Sequence, residues 1–254
     1  MRLKDDGIER LLAVLKREGI APERALDLLN AGLTHHLGFA RVDGGRGCRS
    51  TLPEIVLAGG KNPEEVAEVT AALLSGSGLA IVSRLEPEKS ADILNRFPEG
   101  TYHERARVFT AGEYTGKTGV DEGTVAVISA GTSDLHAAEE AAVVLETMKV
   151  DVDRFYDIGV AGLHRLSGTL PRIREATLCI VFAGMDAALP TVLGGLYRGP
   201  VVAVPTSTGY GTAFGGVTAL LSMLNSCSPG ICVMNIDNGL GAAAAALRIL
   251  RGTD

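Results

Sequence analysis

A chain of 254 residues with 46% hydrophobic residues has enough apolar mass for one large core or two modest ones, which excludes a disordered protein. A net charge of -6 with both signs dispersed argues against nucleic acid as a partner, although a local arginine cluster can still hold a phosphate. Four cysteines without regular spacing do not make a secreted disulfide framework, and no apolar run reads as a signal peptide or a membrane span, so the expectation is a reduced, cytoplasmic protein.

In chain order, Ile8, Leu11, Leu12 and Leu15 have helical spacing, and Pro22 opens a second helix, PERALDLLNAGL. A charged, glycine-rich loop follows, carrying Asp43, Arg46, Arg49, Glu54 and Lys61. Asn62 is placed to cap a helix that starts at Pro63. LAIVSR reads as a short buried strand ending at Arg84, and Pro87 to Asn95 as a further helix. Residues 100–121 are polar and without a firm period, so the domain boundary is placed there: 1–121 as a helical, α+β substrate-binding domain and 122–254 as a second domain.

From Gly123 the pattern changes to strand, turn and helix five times over. The strands are expected in TVAVISAGTSD, RFYDIGVAG, ATLCIVFAGMD, PVVAVPTSTG and GICVMNIDNG. The intervening helices are LHAAEEAAVVLETM, LHRLSGTLPRI (a short helix and loop), AALPTVLGGL and TAFGGVTALLSMLNS, and GAAAAALRILR is the last. Near-continuous apolar strands suit a parallel sheet covered on both faces. Right-handed crossovers then give an α/β fold: a three-layer, doubly wound parallel sheet preceded by a smaller α+β domain.

In such folds ligands bind beyond the C-terminal strand ends. Four small, polar segments lie there: Ser129 to Asp134, Asp157 to Arg165, Ala183 to Pro190, and Val204 to Gly211. Backbone amides and the hydroxyls of Thr132, Ser133, Ser207 and Thr208 could cradle a phosphate, or simply cap helices. Together the four loops favour a nucleotide-like ligand, without either the dinucleotide or the phosphate-loop glycine fingerprint. His164 is a candidate acid or base or a surface histidine, and Arg165 a candidate clamp for carboxylate or phosphate. Asp134 and Asp186 suit acid–base work or helix capping. Cys227 and Cys232 are five apart with no Cys or His to complete a metal set, so no metal ligand is assigned. Cys179 and Cys232, inside apolar strands, read as packing residues. Cys227, in the turn Asn-Ser-Cys-Ser-Pro-Gly, is a candidate nucleophile.

The succession SAGTSDLHAAEEA, DIGVAGLHRL, VFAGMDAALPTVLGGL and VAVPTSTGYGTAFGGVTALLSMLNSCSPG resembles pyridinium-3,5-biscarboxylic acid mononucleotide synthase of nickel-pincer cofactor biosynthesis. The C-terminal domain of that family is like phosphoribosylaminoimidazole carboxylase. RVDGGRGCRSTLPEIVLAGGK is similar to the family's N-terminal Asp-x-x-Arg-x-x-Arg pattern, followed by Pro-Glu and Gly-Lys. The resemblance implies nicotinic acid adenine dinucleotide and carbon dioxide or bicarbonate as substrates. Cys227 would add to the pyridinium ring, Asp186 and His164 would complete the catalytic set, and AMP would be released. Asp186 stands where the family usually has Glu. The substrate-binding positions are Gly131, Thr132, Ser133, Asp134, Arg165, Gly184, Met185, Pro205, Thr206 and Ser207, with Asp43, Arg46, Arg49 and Lys61 from the N-terminal domain. No tightly bound cofactor is implied, with Mg2+ a candidate helper of anhydride hydrolysis.

Cys227 precedes the fifth strand, so within one chain it belongs at the sheet edge opposite the four loops. The expectation is therefore a homo-oligomer, an octamer as in the purine relatives, with sites shared between subunits. The alternatives are an aminoimidazole ribonucleotide carboxylase or mutase, and a non-catalytic nucleotide-binding module.

Overall fold

The computed structural model describes residues 34–48, 50–115 and 123–252, together with positions 17 and 19. The two N-terminal helices expected from the sequence lie outside the described residues. By its contacts the chain divides into two units, 1–101 with 109–115, and 102–108 with 116–254.

In the first unit, β1 (Thr34–His36) and β2 (Arg41–Asp43) form an antiparallel pair. A mixed sheet contains β3 (Val56–Leu57), β4 (Leu79–Ser83) and β6 (Val108–Gly112) in the order β3-β4-β6, and β5 (Thr101–His103) begins at the last residue of the segment 1–101. Strand β3 runs parallel to β4, and β4 antiparallel to β6. Helix α1 (Pro63–Ser77) starts as its sequence dictates. The Asn62 side chain accepts from the Glu65 amide, and the Glu65 carboxylate accepts from the Asn62 amide, both at 2.9 Å. It stops at Gly78, whose left-handed backbone donates to the Leu74 carbonyl. Helix α2 (Pro87–Arg96) follows. Strands β5 and β6 fall in the stretch after residue 100 that shows no firm period; β5 is three residues long, and β6 is a five-residue, mostly buried Val-Phe-Thr-Ala-Gly within otherwise polar sequence.

The second unit is a five-stranded, all-parallel sheet: β7 (Thr124–Ser129), β8 (Asp151–Phe155), β9 (Leu178–Ala183), β10 (Val201–Pro205) and β11 (Cys232–Val233). The order β11-β10-β9-β7-β8 shows a chain that starts in the middle, steps once to one side, and returns to build the other. This is a doubly wound sheet whose direction reverses between β7 and β9. Every residue of β9 and β10 is buried, because helices cover both faces. Each fully buried Val, Ile or Leu there contributes about 1.5–3 kcal/mol.

One face carries α3 (Leu135–Thr147) and α7 (Gly239–Arg251), which pack on each other through small residues. Ala138, Ala141, Ala142, Ala242, Ala243 and Ala246 are all fully buried. The buried Glu140 carboxylate accepts from the Leu240 amide at 3.1 Å, satisfying the start of α7 from a neighbouring helix. The other face carries α4 (Leu163–Ile173), α5 (Ala188–Gly194) and α6 (Val217–Leu224). No helix among the described residues is long and apolar enough to cross a membrane.

Four local readings need correction. Strand β8 begins at Asp151, earlier than expected, because this edge strand is only partly covered and its residues (Asp-Val-Asp-Arg-Phe) are mostly polar rather than an apolar run. Helix α4 continues through Pro171 to Ile173 instead of ending in a loop. Helix α6 starts only at Val217, because Phe214, Gly215 and Gly216 all have positive φ. Strand β11 is only two residues long, and Cys232 on it is exposed, not packed: as the last strand it has one neighbour and little cover.

Gly239 lies against the Ala137 carbonyl with no space for a β-carbon. Gly239→Ala should therefore lower the unfolding free energy by about 1–3 kcal/mol, read as a lower urea midpoint with an unchanged slope. Ile249→Ala, on the exposed side of α7, should shift it much less.

Candidate active site

The reversal between β7 and β9 leaves a crevice that the loops after β7, β9 and β10 fill with polar groups. Its centre is Asp134, in the single 3-10 turn Thr132–Asp134 that leads into α3. Asp134 is 3% exposed, yet both its oxygens are engaged. Thr206 donates its hydroxyl to Oδ1 at 2.6 Å, and the Gly131 amide donates to Oδ2 at 2.8 Å. Burial raises the Asp134 pKa above its ordinary value of 3.8; hydrogen bonds from Thr206, Gly131 and Thr208 oppose the rise, and the Asp237 charge adds to it.

The backbone ties the same loops together. The Ala130 amide donates to the Phe182 carbonyl, Thr206 to Ala183, and Met185 to Thr208. Thr208 donates its hydroxyl to the Ser133 carbonyl at 3.3 Å. A β-carbon on Gly184 would meet the Thr208 carbonyl, so glycine is what permits this approach. Five of the eight non-glycine residues with positive φ among the described residues lie beyond the C-terminal strand ends of the five-stranded parallel sheet: Asp157, Met185, Ala187, Phe214 and Asp237. Each costs on the order of 1–3 kcal/mol, and such strain concentrates where loops are held for function.

Gly131, Thr132, Ser133, Asp134, Gly184, Met185, Pro205, Thr206 and Ser207 thus fall in one cluster of strand-end loops. Thr132, Ser133, Met185 and Ser207 are exposed; Asp134, Gly184 and Thr206 form the buried frame. His164 is exposed in the first turn of α4. Beside it Arg165 pairs with Asp157, whose amide is held by the Ser129 hydroxyl at 3.2 Å. The Asp186 carboxylate is exposed and accepts from the Ala188 amide at 3.3 Å, which turns it toward the start of α5.

Cys227 is not brought to this cluster by the hydrogen bonds of its turn. It is a free, exposed thiol three residues beyond α6. Ser226 and Thr191 share a hydroxyl hydrogen bond at 2.7 Å, and Ser228 donates to the Thr191 carbonyl at 2.7 Å, so the turn is pinned to α5. It then leads into β11, which begins opposite Val202 near the start of β10. Strand β11 itself thus begins toward the entry edge of the sheet, while the hydrogen bonds hold the Cys227 turn against Thr191, midway along α5. Cys179 is the contrasting thiol: buried, with its pKa pushed up to about 12 by desolvation, it is inert.

Of the N-terminal candidates, Asp43 is half-buried at the end of β2, and its amide donates to the Glu54 carboxylate. Arg46 is exposed in a 3-10 turn. Lys61 donates to the Leu57 carbonyl at 2.9 Å. Arg49 lies outside the described residues. Among the described residues no group of three His, Cys, Asp or Glu side chains is disposed to hold a metal ion. Asp237 escaped the sequence reading, although the Asp-Asn-Gly that follows the fifth strand signals a turn.

This fold and site define a carboxylase-type domain. Residues 124–254 match the AIR carboxylase family, and residues 34–113 match a LarB/PurE-like N-terminal domain. The chain belongs to the AIR carboxylase family, in the arrangement that carries this N-terminal domain. It is 40% identical over 215 residues to an uncharacterized protein of Methanocaldococcus jannaschii, covering 81% of this chain and 82% of that one. It is 35% identical over 131 residues to the N5-carboxyaminoimidazole ribonucleotide mutase of the same organism, covering 50% of this chain and 78% of the mutase.

The raised pKa of Asp134 has a sign that can be measured. The folded state holds the proton more tightly than the unfolded chain, so this group's contribution is fully present below about pH 4. It is lost as pH rises through the folded-state pKa. Asp134→Asn lacks the titration. In urea melts at fixed protein concentration, the stability of wild type relative to Asp134→Asn should fall steadily as pH rises from about 4 toward neutrality; a flat difference would contradict the assignment.

Proposed function

We propose that the protein carboxylates the pyridinium ring of nicotinic acid adenine dinucleotide and hydrolyses its phosphoanhydride, giving pyridinium-3,5-biscarboxylic acid mononucleotide and AMP. The observation that carries this reading is Cys227. It is an exposed thiol in a turn pinned by Ser226 and Ser228, on a carboxylase-family domain preceded by a LarB/PurE-like one. Nothing in the packing of that turn calls for sulfur.

The chemistry explains the thiol. A pyridinium carbon is electron-poor and cannot attack carbon dioxide. Addition of the Cys227 thiolate at ring carbon 4 forms a C–S bond and makes the ring a neutral dihydropyridine. Its carbon 5 then forms a C–C bond with carbon dioxide, a base takes the proton from that carbon, and the thiolate leaves as aromaticity returns. Water cleaves the anhydride in a separate step. An ordinary thiol is only a few per cent ionised at neutral pH, and the C-terminal end of α6 disfavours an anion, so the cationic ring is the partner that favours the thiolate.

The loops around Asp134 would bind the phosphate and ribose groups through the Thr132, Ser133 and Ser207 positions, with Arg165 as a cationic neighbour. His164 and Asp186 are the exposed candidates for proton transfer. Asp186 reaches one methylene less far than Glu, and misplacement by about 1 Å can cost on the order of 100-fold. Asp43, Arg46, Arg49 and Lys61 of the N-terminal domain, taken as 1–121, would hold the rest of the dinucleotide. A Mg2+ ion assisting hydrolysis would bind through the diphosphate with one or two carboxylates, as Mg2+ commonly does.

The Cys227 turn is bonded to α5 and not to the loops around Asp134, so we propose that a second copy completes the site, in a homo-octamer with shared sites. The surface beside Cys227 supports this. Val217, Leu221 and Leu224 recur at helical spacing on α6 and are 42%, 59% and 64% exposed, and Phe214 and Tyr210, before the helix, are 72% and 81% exposed. No charged residue occurs from Gly199 to Ile236. The patch amounts to roughly 600 Å2, most of the ~800 Å2 per partner of a standard interface. A second reading, an aminoimidazole ribonucleotide carboxylase or mutase, is favoured by the likeness to the mutase; it does not need Cys227.

Intact-mass analysis after mixing the protein with nicotinic acid adenine dinucleotide and bicarbonate should show a covalent adduct in wild type, with AMP released, and none in Cys227→Ser. AMP release unaffected by Cys227→Ser would overturn the mechanism, and full activity of that variant on carboxyaminoimidazole ribonucleotide would establish the second reading. Shared sites have their own test. Co-refolding inactive Cys227→Ser with inactive Asp134→Asn should restore activity, and mixtures as inactive as the parents would reject sharing.

A further inference from the structure

We propose that Asp237, on the loop leaving β11, is a positioning residue for the strand-end site: it fixes the Pro205–Thr208 segment that holds Thr206 against Asp134. The inference rests on the reading of that site as the nucleotide-binding one. Three observations carry it. The Ser207 amide donates to Asp237 Oδ1 at 2.8 Å, and the Asp237 amide donates to the Pro205 carbonyl at 2.9 Å, so one residue grips the segment from both sides. The next donor along is Thr206, whose hydroxyl reaches Asp134 at 2.6 Å. Asp237 also has φ 52, a left-handed conformation that glycine would adopt without penalty.

A residue that strains the backbone is explained by its side chain. Glycine at 237 would relieve the strain and release Ser207. Aspartate accepts the strain and keeps the clamp. Its charge has a second effect, since a carboxylate near Asp134 opposes ionisation there. The loop after the fifth strand therefore joins those after β7, β9 and β10 as a wall of the site, through a short strand that the sheet itself hardly needs. Asn238, next in sequence, accepts from the Gly241 amide at 2.8 Å and caps α7, so the loop is anchored from both ends.

The test uses two variants that tolerate a left-handed backbone, Asp237→Gly and Asp237→Asn. Asn keeps the oxygen acceptor and removes the charge, whereas Gly removes both. Hydrogen–deuterium exchange of the peptide covering residues 203–209 should be about tenfold faster or more in Asp237→Gly and close to wild type in Asp237→Asn. With AMP as the probe, affinity should fall about tenfold in Asp237→Gly and be restored in Asp237→Asn. Exchange unchanged in Asp237→Gly, or equally accelerated in both variants, would overturn the proposal. A wild-type protein that neither binds AMP nor releases it from the dinucleotide would defeat the functional reading instead. The exchange result would then still decide whether Asp237 fixes the segment.

Discussion

The buried carboxylate of Asp134 is the point on which the second unit's polar architecture depends. Three parallel strands, β7, β9 and β10, end side by side, and each must turn without leaving its amides and carbonyls unpaired. Asp134 resolves part of this by accepting from Gly131 in its own loop and from Thr206 in a loop 72 residues away. An ionised carboxylate in that place is costly unless every oxygen is satisfied. The loops are therefore held to the geometry that satisfies it, and Gly184 is small because the Thr208 carbonyl must come close. The exposed hydroxyls of Thr132, Ser133 and Ser207 inherit fixed positions from this frame.

What the sequence made legible follows from the same physics. Strands β7, β9 and β10 are buried on both faces, so their residues form apolar runs that can be read directly. The edge strands β8 and β11 have fewer neighbours to satisfy. Their patterns are mixed, and their bounds shifted or shrank. The same edge position explains Cys232, whose apolar neighbours suggested packing that a terminal strand does not supply. Strand β5 has only three residues, and β6, as long as β4, was masked by the polar sequence on both sides of it. At the site, Asp134 and Thr206 were legible as parts of strand-end loops. That Asp134 is the buried hub and Ser207 the exposed tip depends on contacts between segments far apart in the chain. Asp237 was hidden for the same reason: Asp-Asn-Gly announces a turn, while the amide it grips lies thirty residues earlier.

Cys227 shows how topology limits a mechanism. In a doubly wound sheet every residue just before a strand lies on the entry edge, and every loop just after a strand lies on the exit edge. Helix α6 has eight residues, about 12 Å of rise, and it carries the chain from one edge toward the other. Ser222, in its last turn, reaches the Asp186 carbonyl at 2.6 Å, and the chain then runs to the Cys227 turn, which is bonded to Thr191 of α5 rather than to the loops around Asp134.

Phe214 sharpens that point. It has φ 45, a conformation that costs an ordinary side chain about 1–2 kcal/mol, and its ring is 72% exposed. The isolated fold therefore bears two penalties at one residue, strained backbone and hydrated aromatic surface, and gains from neither. The kink at Phe214 to Gly216 starts α6 at Val217, and Val217, Leu221 and Leu224 then share one exposed face of it. In the assembly proposed, burial of these side chains against a second copy would offset the cost of the hydrated aromatic surface. The exposed row on α6 ends three residues short of Cys227, so the contact proposed there would lie beside the thiol.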